Sequence, residues 1–278
     1  MISFNVLYLL VEGARVIKRL FYEKPIFLSV FFLFGLVFLT GFSQGERFLD
    51  YEIVAVYPHD PEAFTQGLFF YNGYLYEGTG LYGFSSLRKV EVEQGEVLQR
   101  VYPGSEYFGE GIALVEDRIL QLTWKEQKGF VYASDTFAVV DEFTYTGEGW
   151  GLTYDGEYLI MSDGSAQLIF LDPVTYQEVK GLTVTCSCGP VKNLNELEYV
   201  NGVIYANIWL SNNIALIHPI SGKVLGWLDL SGLAEVAAMD SAGVIDVLNG
   251  VAYDPFSESL FVTGKLWPYV YQIRILDN

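Results

Sequence analysis

GLFFYNGYLYEGTG, residues 67–80, decides how this chain folds. An apolar run, a turn at Asn72 and Gly73, and a second apolar run have the length and texture of two short β-strands. The same figure returns four times, as GIALVEDRILQLTW from Gly111, GLTYDGEYLIMSDG from Gly151, ELEYVNGVIYANIW from Glu196 and GVAYDPFSESLFVTG from Gly250, at intervals of 44, 40, 45 and 54 residues. A third strand follows each figure (LRKVEV, GFVYAS, QLIFLD, NIALIH, YVYQIR), and a fourth follows the first four (EVLQRVY, VVDEFTY, QEVKGLTV, KVLGWLDL). Four strands every 40–45 residues is the period of a propeller blade, so the expected fold is an all-β, five-bladed β-propeller. An open β-sandwich offers no reason for a fixed period.

One strand is missing from the fifth unit, and one orphan strand, YEIVAVY at 51–57, precedes the first. If the orphan supplies the outer strand of the last blade, the ring closes like a clasp and the gap leaves no unpaired sheet edge. His59 and Asp60, just after it, read as structural closure of that clasp. The long fourth interval accommodates SGLAEVAAMDSAGVID, 231–246, as a helical turn on one face.

Working outward, the 278 residues are 51% hydrophobic and 16% aromatic, which excludes a disordered chain. There are 16 Lys+Arg against 34 Asp+Glu, a formal charge of -18. Nucleic acid is excluded as a partner, because counterion release needs clustered cations that are absent. The charge is uneven: residues 1–42 carry four basic and two acidic residues, leaving -20 for the rest. Arg15, Lys18, Arg19 and Lys24 precede IFLSVFFLFGLVFLTGF, 26–42, a charge-free run that reads as a hydrophobic helix serving as export signal or anchor. The expected organisation is a leader over 1–45 and the propeller over 46–278, exported to the periplasm or cell exterior and touching membrane only through the leader. Cys186 and Cys188, separated by one residue, have poor geometry for a mutual disulfide and are expected to be loop thiols, with a strained pair as the alternative. His59 and His218 are the only histidines, which leaves little for a His-rich metal site and points any catalysis to carboxylates.

Unusual residues fall at corresponding places in the repeat. Glu110 stands just before the first strand of the second unit, Trp150 and Asn195 at the same point in the third and fourth, and Phe64 and Gln66 in the first. Lys265, Trp124 and Trp209 follow second strands. First strands begin and second strands finish at the same end of a propeller, so a carboxylate, carboxamides, an amine and several aromatics, Phe108 included, converge on one mouth.

The runs YPHDPEAFTQGL (57–68), YFGEGIAL (107–114), WGLTYDG (150–156), NELEYVNGVIYANIW (195–209), VLNGVAYD (247–254) and LFVTGKLWP (260–268) closely resemble, in order, the plant and bacterial type of glutaminyl cyclase, a five-bladed propeller family. The resemblance covers about residues 51–275. It implies conversion of N-terminal glutaminyl residues of peptides and proteins to pyroglutamate with loss of ammonia. By the motif YFGEG, Glu110 carries over as the residue that takes the α-amine proton and returns it to the leaving nitrogen. Lys265 and Asn195 carry over as polar partners that orient the carboxylate or stabilise charge on the amide, and Gln66 as a further hydrogen-bonding group. Phe64, Phe108, Trp124, Trp150 and Trp209 would form a water-excluding substrate pocket, which disfavours a protonated amine and holds the chain folded on itself.

No metal ligand and no cofactor are required by this chemistry, though inward acidic residues leave room for a structural Ca²⁺ in the channel. A monomer is expected. Two other functions stay open on the residues alone: a non-catalytic envelope propeller binding peptide or sugar, and a carboxylate-pair glycosidase using Glu110 and Glu196.

Overall fold

The computed structural model describes residues 46–241 and 243–276. The expected leader and its hydrophobic helix lie outside the described residues. Strands β1 (Arg47–Leu49) and β2 (Tyr51–Pro58) open the described chain. The first blade comprises β3 (Thr65–Tyr71), β4 (Tyr74–Thr79), β5 (Ser86–Glu91) and β6 (Val97–Val101). The second comprises β7 (Gly109–Val115), β8 (Arg118–Thr123), β9 (Lys128–Ala133) and β10 (Val139–Thr144), and the third β11 (Leu152–Tyr154), β12 (Leu159–Ser162), β13 (Gln167–Leu171) and β14 (Glu178–Thr183). A small hairpin, β15 (Thr185–Cys186) and β16 (Gly189–Pro190), leads to the fourth: β17 (Leu194–Val200), β18 (Val203–Ile208), β19 (Asn213–Ile217) and β20 (Val224–Asp229). Helix α1 (Ser231–Asp240) precedes β21 (Leu248–Asp254), β22 (Ser259–Gly264) and β23 (Tyr269–Ile275) of the fifth.

The inner strands touch in a closed ring, β3 to β7 to β11 to β17 to β21 and back to β3. The expected clasp is present, with β2 pairing antiparallel to β23 from Tyr51 against Ile275 to Pro58 against Tyr269. His59 fastens it: its backbone N–H donates to the Pro268 carbonyl, and its ring nitrogens meet the Trp267 carbonyl at 2.8 Å and Glu77 Oε1 of the first blade at 3.0 Å. Asp60 pairs with Arg88 at 2.8 Å. Strand β1, which no repeat announces, adds in parallel to β20, Arg47 against Gly226, so the start of the propeller straddles two blades.

Each blade interface carries its own apolar cluster. Phe69, Tyr76, Ile112 and Phe130 join blades one and two, while Leu68, Leu75, Ala252 and Phe261 join five and one. Leu233 and Ala237 of α1 pack into the cluster between blades four and five, which explains why the insert is a helix with a buried stripe.

At the channel, three repeat glycines allow the inner strands to approach more closely than side chains permit. A Cβ on Gly67 would lie 2.9 Å from Gly111 Cα, and one on Gly151 would strike the Asn195 carbonyl oxygen and lie 2.8 Å from Glu196 Cα. Glu196 takes the same repeat position in the fourth blade. Its two carboxylate oxygens accept the N–H groups of Leu68 at 3.1 Å and Val251 at 2.8 Å, from inner strands of two other blades.

The cysteines depart from expectation. Cys186 and Cys188 form a disulfide, with Cα atoms 5.1 Å apart. Two residues of extended chain would separate them by roughly 6.6 Å, but the turn between β15 and β16 folds them closer, into the range a disulfide spans.

Candidate active site

The local device that builds the site is a β-bulge. In the first, second, fourth and fifth blades the pairing of inner strand to second strand slips between Thr65 and Gly67, Gly109 and Ile112, Leu194 and Leu197, and Leu248 and Val251. The bulges contain Gln66, Glu110, Asn195 and Asn249. A bulge re-aims a side chain out of the regular pleat, and here it does so at the residue before each repeat's first glycine or glutamate. In the third blade Trp150 holds that position just ahead of β11, its N–H bonded to the Ser162 carbonyl at 3.0 Å.

A cavity of ≈ 350 Å³ opens at this end of the ring. Glu110, Lys265, Asn195, Phe64, Gln66, Phe108, Trp124, Trp150 and Trp209, all the residues expected at the mouth, line it. Leu81, Leu210 and Asp246, which sequence reasoning missed, line it too. Leu81 (φ 83°) and Leu210 (φ 65°) hold left-handed backbone in the turns after second strands, a conformation that leucine adopts at a cost. Such turns left no trace in the composition, because the usual marker, glycine, is absent from both positions.

The walls are aromatic pairs. Phe64 meets Phe108 edge to face at 6.2 Å, Phe108 meets Trp124 at 5.5 Å, and Trp150 meets Trp209 edge to face at 5.5 Å. Glu148 Oε2 accepts both the Trp124 and the Trp150 indole N–H, at 2.7 and 3.0 Å.

Glu110 is 4% exposed and Lys265 5%. Burial drives the proton affinity of Glu110 well above the usual carboxylate range; the Lys265 cation opposes this, and Glu126 and Glu148 reinforce it. Burial lowers Lys265, with Glu110 and Asp246 pulling the other way. The Lys265 ammonium also lies 4.8 Å from the Phe64 ring centroid, a cation–π contact in a dry setting. Gln66 Nε2 donates to Glu110 Oε1 at 3.1 Å. A buried carboxyl group with raised proton affinity thus lines an apolar cavity together with an amine.

Glu196 is not among the residues lining this cavity. Its oxygens are engaged in the channel, so a Glu110–Glu196 glycosidase pair finds no support. Among the described residues no three His, Cys, Asp or Glu side chains gather as a metal site.

A family model described as glutamine cyclotransferase matches residues 32–275. The chain belongs to the glutamine cyclotransferase family. A protein of Arabidopsis thaliana described as glutaminyl-peptide cyclotransferase is 42% identical over 240 residues, 85% of this chain and 74% of its own length. The crystal structure of Myxococcus xanthus glutaminyl cyclase superposes with a TM-score of 0.78 at 37% identity, covering 84% of this chain and all of that one. Membership of this enzyme family agrees with the resemblance in the motifs and sets aside the non-catalytic binder. Asn249, which sequence reasoning missed, bonds to the cavity-lining Gln66, and the register of this cyclotransferase chain holds the signal for it: Asn249-Gly250 stands where Gln66-Gly67 and Glu110-Gly111 stand.

Proposed function

We propose that the protein converts N-terminal glutaminyl residues of peptides and proteins to pyroglutamate. The α-amine nitrogen attacks the side-chain γ-carbonyl carbon, the ring C–N bond forms, the bond to the amide nitrogen breaks, and ammonia leaves. Glu110 takes the proton from the attacking amine and returns it to the departing nitrogen. The observation that carries this reading is the Glu110 carboxyl group, 4% exposed and with raised proton affinity, set in an aromatic cavity that Lys265 also lines. A general acid–base works best when its proton affinity matches the operating pH, and an ordinary carboxylate is too acidic to deliver a proton to nitrogen.

Lys265 and Asn195 polarise or hold the γ-amide, and charge that develops on its oxygen is stabilised most by donors that are already fixed. The aromatic walls exclude water and press the flexible glutaminyl head into a ring-forming shape, an effect that proximity makes large. No metal takes part. The protein acts outside the cytoplasm as a monomer, with the leader as its only membrane contact. The charge-free run at 26–42 and the Cys186–Cys188 disulfide, a bond kept by oxidising compartments, support that placement.

The test is ammonia release from a peptide beginning with glutamine, for wild type and Glu110→Gln, with and without a chelator. Release by the wild type, unchanged by chelation and reduced about 10²–10⁴-fold in the variant, is the expected result. No release by the wild type would remove the activity; full activity in Glu110→Gln would remove only the role of Glu110.

A further inference from the structure

Asn249 is fully buried, and it is not among the residues that line the cavity. Its Nδ2 donates twice, to the Thr65 carbonyl at 3.0 Å and to Gln66 Oε1 at 3.1 Å. Gln66 in turn donates from Nε2 to Glu110 Oε1 at 3.1 Å. Direction is what matters in this chain of bonds. A backbone carbonyl can only accept, so Thr65 obliges Asn249 to turn its NH₂ inward. That NH₂ obliges Gln66 to turn its carbonyl toward Asn249, and therefore its own NH₂ toward Glu110. The Asn249 Oδ1 atom, on the far side of the amide, has no hydrogen-bond partner among the described residues. An unpaired buried acceptor is costly, and it shows that the two donated bonds decide the orientation.

We infer that Asn249 is a positioning residue for the cyclisation: through Gln66 it holds Glu110 Oε1 as a hydrogen-bond acceptor and leaves Oε2 to exchange the proton with substrate. The inference rests on the proposed role of Glu110. Without Asn249, the Gln66 amide is free to rotate and present its carbonyl oxygen to Glu110. A carbonyl there accepts from the protonated carboxyl and favours it, whereas the native N–H favours the carboxylate. The other groups that act on Glu110 are Lys265, Glu126 and Glu148, while Tyr82 and Tyr145 feel its charge; none of them is altered by changing Asn249.

The test is the pH profile of kcat/KM on one glutaminyl peptide for wild type, Asn249→Asp, Asn249→Leu and each of these combined with Gln66→Leu. Asn249→Asp draws the Gln66 NH₂ away from Glu110, and the enzyme's acid limb should move up by about one pH unit. Asn249→Leu, which adds no charge, should move it in the same direction by less. In both variants kcat should fall more than KM changes, because the aromatic walls are untouched. The position of the limb does not depend on how much enzyme is folded, so partial instability leaves the result readable. In the Gln66→Leu background the neutral variant should no longer shift the limb and the charged one should shift it less. A limb that stays put in Asn249→Leu, or moves equally with and without Gln66, overturns the inference. Glu110→Gln in the same assay separates the two readings: full activity there sinks the Glu110 role itself, while loss of activity there with an unmoved limb sinks only Asn249.

Discussion

One oxygen of Glu148 holds two walls of the pocket, accepting the indole N–H of Trp124 from the second blade and of Trp150 from the third. The two tryptophans adjoin different sheets, Trp124 just after β8 and Trp150 just before β11, and a charged acceptor shared between them fixes the angle at which both rings face the cavity. The Glu148 carboxylate also raises the proton affinity of Glu110.

Glu148→Ala should therefore act twice. KM for a glutaminyl peptide should rise, by about 5–20-fold for loss of two hydrogen bonds to a partly exposed carboxylate. The acid limb should move down, because one negative charge that favours protonated Glu110 is gone. Glu148→Gln keeps an acceptor for the indoles and should recover most of KM while keeping the downward shift. Steady-state kinetics across pH separate these effects, and an unchanged KM in the alanine variant would contradict the shared bond as an organiser of the pocket.

Lys265 has the opposite sign. Its cation stabilises ionised Glu110, so Lys265→Met should move the acid limb upward and lower kcat, by about 10²-fold if the ammonium also meets the developing amide charge. A limb that moves downward would mean that Lys265 does not sense Glu110.

The His59–Glu77 pair should give the clasp its own pH window. Burial pulls the His59 proton off, but Glu77, the Trp267 carbonyl and Asp60 together outweigh it and raise its proton affinity. Its contribution is complete below about pH 6.5 and is lost as pH rises through the raised value. For Glu77 burial opposes ionisation, yet His59, Arg88 and Thr65 prevail and lower its proton affinity, so its contribution is present above about pH 4.3 and is lost as pH falls through the depressed value. Denaturant unfolding should show the greatest stability between these limits. His59→Ala should cost about 3 kcal/mol there and flatten the alkaline side.

Gly151→Ala tests the closeness of the inner strands. The added methyl meets the Asn195 carbonyl and the Glu196 Cα, both backbone atoms that cannot swing away. A loss of at least about 3 kcal/mol, or no folded protein, is expected by thermal unfolding. A change within 1 kcal/mol, an approximate limit for tolerated overpacking, would show that the ring can widen.

The blades and the mouth are legible because the Gly/Glu-Leu-x-Tyr figure repeats in register, so that spacing alone places Gln66, Glu110, Trp150 and Asn195 together. The figure also held the reason Glu196 differs, since one side chain fills space that glycines leave, but only the packing of Leu68 and Val251 around it shows this. Leu81 and Leu210 stand at the same offset after second strands, but a leucine does not announce the left-handed turn it occupies, while Asp246 and Glu148 stand in connections that share no pattern between blades, and their placement depends on tertiary approach. Strand β1 offers three residues to a parallel pairing, too few for periodicity to register. The disulfide was missed because spacing alone describes an extended chain, while a turn lies between the two cysteines.

The pairing of Tyr51 with Ile275 has a consequence for timing. A ribosome must deliver more than two hundred further residues before β2 finds its neighbour β23. Contacts so distant in sequence form slowly, and Phe64 and Lys265, which touch at the edge of the cavity, come from the first and the fifth blade. A chain made only as far as the fourth blade therefore lacks the Lys265 side of the pocket, which is complete only once the fifth blade is in place.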